Sequence, residues 1–338
     1  MAASPRLRIA QYGTKHGHAE GKLLALRADP RVELAGVFEP DTDRRRELEA
    51  GDGAYRGVRW LHSADELLSD ATTIAVVAEG RNDESLAHAA QIVAAGKHIW
   101  YDKPAGDDWA GWRRVARAAE ARALHVQMGY MFRYHAGFAQ IAQWARGGLL
   151  GDLFAVRAHM STSISPEQRA VIARHRGGIL YDLGGHMIDQ IVWLLGRPLR
   201  VSAFLRHDAD EVPGFHDNTL AVLEFPRALA TVDIAAMETP PAARRFEVYG
   251  SRGSAILEPF EPPTSLRLCL DAPRVGFAIG EQRVAVPTQS RQRLYELELD
   301  AFLATITGER PPDRTLAHEL LVQETLLRAT NPSTIDDS

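Results

Sequence analysis

The chain has 338 residues, 45% of them apolar and 25% charged, with a formal net charge of −5. At roughly 100–200 residues per domain this length suits two domains, and the composition excludes a disordered, collagen-like or coiled-coil chain. The acidic balance speaks against a nucleic-acid or anionic-membrane partner, and a single cysteine, Cys269, excludes an intramolecular disulfide and any CxxC site. No apolar run approaches the ~18 residues of a membrane helix. The N-terminus MAASPRLRIA has no signal-peptide core, so a soluble cytoplasmic protein is expected.

In chain order, LRIAQY (7–12) reads as a buried strand, followed by Gly13, a polar turn and the helix HAEGKLLALRA. ELAGVF (33–38) is a second strand, closed by Glu39-Pro40-Asp41. A charged helix follows, capped by Asp41 or Asp43. VRWLH is a short third strand, and Ser63 with Glu66 three residues on forms a capping-box pattern. TTIAVVAE (72–79) is a β-branched strand, NDESLAHAAQIVAAG a helix, KHIWYDKP a strand and DDWAGWRRVARAAEARA an amphipathic helix. LHVQMGYMFRY is a sixth strand. This alternation predicts βαβ units and a mostly parallel sheet. Residues 1–128 are therefore expected to form one domain, with its ligand site at the carboxyl ends of the strands.

Residues 129–330 follow a different rhythm. A helix FAQIAQWARGG and a strand LFAVRAHMS precede a polar, irregular stretch at 161–176 and the apolar helix ILYDLGGHMIDQIVWLLG. Seven strand-like runs then follow without intervening helices, which predicts a large, mostly antiparallel sheet. The chain closes on two helical segments, RLYELELDAFLATITG and TLAHELLVQETLLRAT. The last of these is expected to pack back on the first domain.

Several residues stand where chemistry is expected. The first βα turn, Gly13-Thr14-Lys15-His16-Gly17-His18, has the first glycine of a GxGxxG fingerprint, but Lys15 and His18 replace the second and third. Gly17 fits only a turn one residue longer. Glu39, at the end of the second strand, suits a ribose diol and repels a 2′-phosphate, favouring NAD over NADP; Arg44 and Arg45, turned inward, would reverse this. Glu39-Pro40-Asp41 also reads as a solvated turn and helix cap. Only four lysines occur, against 35 arginines. One of them, Lys103, ends a buried strand, and lysine, unlike arginine, can shed its proton. Asp182 and His186 share one helical face, and Asp189 is also within reach of His186. Asp182, His186, His159 and His216 form a conceivable metal set, but no HExxH occurs and no metal is expected. The stretch 161–176, with Arg169, Arg174, His175 and Arg176, reads as a solvated loop or as a lid.

Taken together these residues resemble the Gfo/Idh/MocA oxidoreductases over nearly the whole chain. Asp102-Lys103-Pro104 is similar to the family's Glu-Lys-Pro signature and follows the typical Ala-Gly-Lys-His of residues 95–98. Gly129 to Tyr134, the glycine pair Gly177-Gly178 with Asp182 and His186, FEVYGSRGSAILE (246–258) and HELLVQETLLRA (318–329) resemble further family motifs. The resemblance implies a Rossmann domain followed by an α/β domain with a large, mostly antiparallel sheet. It implies an NAD(P)-dependent oxidoreductase acting on a sugar, cyclitol or related polyhydroxylated substrate, as a homodimer or homotetramer. NAD is the expected cofactor, with NADP as the alternative.

Carried over residue by residue, Lys103, Asp182 and His186 are the expected catalytic group. Gly13, Thr14, Lys15, His16, Glu39, Glu79, Asn82, Asp102 and Lys103 are the expected cofactor contacts. Arg133, Tyr134 and His135 join Lys103, Asp182 and His186 as expected substrate contacts. Three departures stand out: Asp102 for the family's glutamate, the altered glycine turn, and Glu79-Gly80-Arg81-Asn82 where Thr-Pro is usual. Removing a hydride from a carbinol carbon also requires loss of the hydroxyl proton, so a base is needed. His186 oriented by Asp182, or Lys103 with a depressed pKa, fits that role. Two other readings remain: a redox-neutral lyase or epimerase with tightly held NAD, and a non-catalytic sugar- or nucleotide-binding protein.

Overall fold

The computed structural model describes residues 5–209, 212–263 and 265–336. From the N-terminus the elements are β1 (Leu7–Tyr12), α1 (Ala19–Ala28), β2 (Val32–Phe38), α2 (Thr42–Ala50), α3 (Ala64–Leu68), β3 (Thr73–Ala78), α4 (Ser85–Ala94), β4 (His98–Tyr101), α5 (Trp109–Ala121) and β5 (Val126–Met128). The five strands pair in parallel in the order β2-β1-β3-β4-β5. β1 and β3 are buried along most of their length, as expected of parallel strands covered on both faces. The chain runs outward from β1 to β2 and then returns to the other side of β1 as β3. That reversal opens a crevice beyond the strand ends.

Two expected strands are shorter in the structure. VRWLH contributes one isolated parallel bridge, Trp60 to Val37, because Ser63 caps α3 three residues later and leaves no length for a ladder. The sixth strand is only Val126–Met128, and Met131–Tyr134 coil into a 3-10 turn.

Next come α6 (Ala136–Arg146), β6 (Leu153–His159), α7 (Pro166–Ile172) and α8 (Ile179–Leu195). The strands β7 (Arg200–Arg206), β8 (Asn218–Glu224), β9 (Leu229–Ala235), β10 (Arg245–Gly250), β11 (Gly253–Leu257), β12 (Ser265–Leu270) and β13 (Gly280–Ala285) complete an eight-stranded sheet. Its order is β13-β12-β11-β10-β6-β9-β8-β7, antiparallel except for the β6–β9 pair. The stretch 161–176 is not wholly irregular. Ser165 and Gln168 form a reciprocal capping box with Pro166 at the helix start, and these start signals nucleate α7.

The chain closes with α9 (Arg291–Ile306) and α10 (Leu316–Thr330). Residues 1–129 with 291–320 form one compact unit, and residues 130–290 with 321–338 form a second. The sequence reading assigned all of 129–330 to the second domain, whereas 291–320 belong to the first unit. The reason is the packing of α9 on α1. Gln292 donates to the Gly21 carbonyl, and the Tyr295 ring occupies the space a Cβ on Gly21 would need, 2.3 Å away.

In the second unit α8 begins at Gly178, with φ 52° and ψ −122°, a backbone conformation reserved for glycine. A Cβ there would stand 2.3 Å from the His216 carbonyl oxygen, which accepts the first amide of α8. Gly148 also has positive φ, at 78°, but has open space around it. Gly178→Ala is therefore expected to cost about 2 kcal/mol or more, and Gly148→Ala about 1 kcal/mol. Urea unfolding with unchanged m-values checks this, and equal midpoint shifts for both variants would refute it.

Candidate active site

The carboxyl ends of the parallel strands bring together most residues singled out in the first unit. Gly13 ends β1 with φ 83° and donates its amide to the Phe38 carbonyl; a Cβ there would meet the Gly80 nitrogen at 2.7 Å. The amides of Lys15 and His16 both donate to the Glu79 carbonyl at 3.0 Å. The turn thus lies directly against the end of β3. A Cβ on Gly17 would meet nothing within 4 Å.

Glu39 is buried at the end of β2. It accepts from the Thr14 hydroxyl at 2.7 Å through one oxygen and from the Asp41 amide at 2.9 Å through the other. Asp41 caps α2, so the acid-Pro-acid turn holds both a helix cap and a buried acid. The Lys15 ammonium lies between Asp41 (3.1 Å) and Glu84 (3.2 Å). Arg44 and Arg45 do not turn inward; they pair with Glu47 and Glu49 on their own helix. Asn82 sits in the β3–α4 loop, where Arg81 closes onto Asp83 and Glu84.

Beneath the turn lies a buried ionic cluster. The Lys22 ammonium, on α1, is 2.8 Å from both Glu79 Oε1 and Asp102 Oδ2, and 4.5 Å from the centre of the Trp100 ring. All three charged side chains are almost completely excluded from solvent. Burial alone would lower the lysine pKa, but the two carboxylates override it and hold it above its ordinary value. Burial likewise pushes both acids upward. For Asp102 the opposing pull of His16, His18 and Lys22 prevails and holds it well below the usual range. Glu79 stays well above its range, with the Asp102 charge adding to the effect of burial. Their surroundings thus move the two acids in opposite directions, Asp102 down and Glu79 up.

The imidazoles complete the cluster. His18 Nδ1 donates to Asp102, 3.0 Å from Oδ2, and burial depresses its pKa to about 4. His16 Nε2 donates to the Lys103 carbonyl at 3.1 Å, and its Nδ1 accepts from the His18 amide at 3.2 Å. Among the described residues, three or more metal-ligating side chains converge only at His16, His18 and Asp102. That set already has a cation, because the Lys22 ammonium contacts the same carboxylate oxygen. Lys103, 4% exposed, follows β4, and its amide donates to Asp102 Oδ1 at 2.7 Å.

The second unit holds the remaining candidates. Asp182 is half-buried in the first turn of α8, where the helix dipole favours an acid. His186 lies one turn further on, buried edge-on against Tyr130 and Phe132. Arg133, expected to face substrate, forms a buried fork with Asp189, with Nε 3.0 Å from each oxygen and Nη2 at 2.7 Å. Asp189 thus holds Arg133, and its Oδ2 also accepts from the Gln190 side-chain amide at 3.1 Å. His135 caps α6 by accepting the Gly137 amide, and burial lowers its pKa to about 4. The carbonyl of half-buried Tyr134 accepts from Gln289. Arg169 is buried and donates to the Ile164 and Ala236 carbonyls. His159 pairs with Asp233 and Glu238 on the sheet.

Sequence reasoning missed Lys22. Its signal was present: a lysine, rare in this chain, on the apolar face of α1 next to Leu23 and one turn before Leu26.

Comparisons with known proteins agree on the kind of molecule. Residues 7–130 match the family model described as an oxidoreductase family with an NAD-binding Rossmann fold. Residues 138–256 match the GFO/IDH/MocA C-terminal domain. An inositol 2-dehydrogenase of Cereibacter sphaeroides is 29% identical over 86% of this chain and 81% of its own length. The rhizopine catabolism protein MocA of Rhizobium meliloti is 26% identical over 71% and 75%. Among solved structures, GenD2 of gentamicin A biosynthesis, in complex with NAD, is similar with a TM-score of 0.79 and 24% identity, covering 100% of this chain and 97% of its own.

The histidine shifts have a consequence for stability. A histidine held neutral in the fold to about pH 4 stabilises the fold above its unfolded pKa near 6.5, and that contribution is lost as pH falls toward 4. Glu79, pushed upward by burial, acts in the opposite direction, so a wild-type/variant difference is needed to isolate one imidazole. Between pH 7 and pH 5, His135→Asn is expected to lose on the order of 2 kcal/mol less stability than the wild type. Urea unfolding at both pH values measures this, and parallel losses would refute it.

Proposed function

The chain belongs to the Gfo/Idh/MocA oxidoreductase family, and on that premise we propose that Lys103, Asp182 and His186 carry hydride transfer between NAD and a sugar or cyclitol. As a member of the family it is an NAD(P)-dependent oxidoreductase acting on CH–OH groups of polyhydroxylated substrates. The observation that carries the catalytic assignment is Lys103 itself. It is a buried lysine at the carboxyl end of β4, with an ionised carboxylate on its own amide.

The residues present fit a dinucleotide. The turn approaches β3 at Gly13 as closely as backbone allows and leaves the Gly17 side open, and α1 presents its N-terminus behind it. Gly13 to His16 would hold the pyrophosphate, and Glu39, positioned by Thr14, would accept the ribose hydroxyls. Each Glu39 oxygen keeps a further lone pair for that purpose. Glu39, Asp41 and Glu84 outnumber the one ammonium, Lys15, at this end of the sheet. A 2′-phosphate is repelled there, so the choice is NAD. When bound, the nicotinamide accepts or supplies the hydride. The proton of the substrate hydroxyl passes to one of two candidate bases, His186, oriented by Asp182, or Lys103, and a hydrogen-bond donor at the reacting oxygen stabilises developing alkoxide charge.

We further propose that the enzyme works as a homodimer or homotetramer joined through the uncovered face of the eight-stranded sheet. Phe204 and Leu229 are 64% and 54% exposed there, in line with Leu220 and Val222. The unpaired Cys269 suits a reducing cytoplasm. Among the described residues no helix is long and apolar enough to cross a membrane.

Three measurements test these readings. Calorimetric titration with NAD, NADH, NADP and NADPH should show NAD(H) bound at least about tenfold more tightly; preference for NADP(H) would overturn the role of Glu39, and no binding of any form would overturn the dinucleotide site. Lys103→Ala and His186→Ala should each lower kcat by about 10²–10⁴; near-native rates in both would remove the catalytic assignment. Light scattering should give two or four times the 37.3 kDa chain mass, and a single-chain mass refutes the oligomer.

A further inference from the structure

We propose that His16 and His18 are positioning residues for Lys103, fixing the direction of its side chain by holding the peptide groups on either side of it. The proposal rests on the reading of Lys103 as catalytic and adds how it is aimed. β4 ends at Tyr101, and the Asp102 amide still donates to the Ala78 carbonyl of β3 at 3.3 Å. Side chains take over at Lys103. The amide of Lys103 donates to Asp102 Oδ1 at 2.7 Å, and its carbonyl accepts from His16 Nε2 at 3.1 Å. With both flanking peptide planes held, φ and ψ of Lys103 are set, and with them the direction of its Cα–Cβ bond.

The two imidazoles act in series. His16 gives Nε2–H to the Lys103 carbonyl, and its Nδ1 lies 3.2 Å from both the His18 amide and Asp102 Oδ2. His18 Nδ1 straddles the Asp102 carboxylate, 3.2 Å from Oδ1, which accepts the Lys103 amide, and 3.0 Å from Oδ2. Lys22 holds Oδ2 at 2.8 Å. The three donors fix the carboxylate plane, and the carboxylate fixes the Lys103 amide. A turn that lacks the second and third glycines thus carries, in their place or beside it, side chains that reach across to the residue after β4.

The geometry predicts an isostere test. A glutamine amide nitrogen falls near Nε2 of a histidine, and an asparagine amide nitrogen near Nδ1. His16→Ala and His18→Ala should each lower kcat by about tenfold to a hundredfold, and in His18→Ala KM for the nicotinamide cofactor should change less than about threefold. His16→Gln should recover most of the loss and His16→Asn should not; His18→Asn should recover it and His18→Gln should not.

A second readout does not depend on turnover. With only four lysines in the chain, 13Cε-lysine labelling gives a simple spectrum in which Lys103→Arg identifies the Lys103 signal. That signal should move in His16→Asn and His18→Gln and return in the two isosteres. Alanine variants with wild-type kcat, or glutamine and asparagine behaving alike at either position, overturn the proposal. If the wild type transfers no hydride to any polyhydroxylated substrate, the reading of Lys103 as catalytic falls. The lysine signal then decides the positioning role alone: unmoved in the mismatched variants, it overturns that role, and moved and restored, it supports it.

Discussion

The first unit depends on one buried ammonium. Lys22 reaches from α1 to Glu79 at the end of β3 and Asp102 just beyond β4, joining three elements that are distant in sequence. Removing a charge from water is costly, and a buried pair is a weak source of net stability compared with apolar packing. Its value lies in what its loss would do. Without Lys22, two acids would face each other in a dry interior, a penalty of roughly 3–5 kcal/mol. The cluster limits that penalty by moving the two acids apart, Glu79 up and away from its charged form, Asp102 down and toward it.

The second unit uses the same device with an arginine. The Arg133 fork on Asp189 ties the 3-10 turn after β5 to the middle of α8, and both side chains are almost wholly excluded from solvent. The choice of cation follows the geometry. Asp189 offers both oxygens to one partner, which suits a planar guanidinium. Asp102 and Glu79 offer oxygens from two directions, which suits the point charge of an ammonium. α8 carries Asp182 and His186, so its placement against the 3-10 turn bears directly on the chemistry assigned to it.

The division between what could be read from the sequence and what could not is physical. The parallel sheet was legible because βα units repeat with apolar strands and capped helices, each a local signal. The eight-stranded sheet was legible from its unbroken run of alternating strands. Glu39 and Lys103 were legible because strand ends of such a sheet are where ligands meet side chains. Arg133 was placed in the substrate site by its motif. Its commitment to Asp189, 56 positions away, is a tertiary choice that no local pattern encodes. α9 was assigned to the wrong unit for the same reason: only the missing side chain at Gly21 admits Tyr295. Lys22 came closest to being legible. A lone lysine on an apolar helix face calls for buried acids, but its partners lie on two other strands.

The shortened acid before Lys103 follows from this arrangement. A glutamate at 102 would carry its carboxylate one methylene further out. Asp102 Oδ1 stands in the space that a Cβ on Gly129 would need, 2.6 Å away. The shorter side chain instead turns back on the chain and accepts the next amide, that of Lys103, at 2.7 Å. Its other oxygen meets Lys22 from α1 and His16 from the turn, and His18, the N-cap of α1, reaches both oxygens. His18 and Asp102 are therefore two sides of one contact. A glycine at 18 would leave the short carboxylate without its imidazole donor. Read this way, the altered turn and the altered signature are two halves of a single contact between α1 and the end of β4.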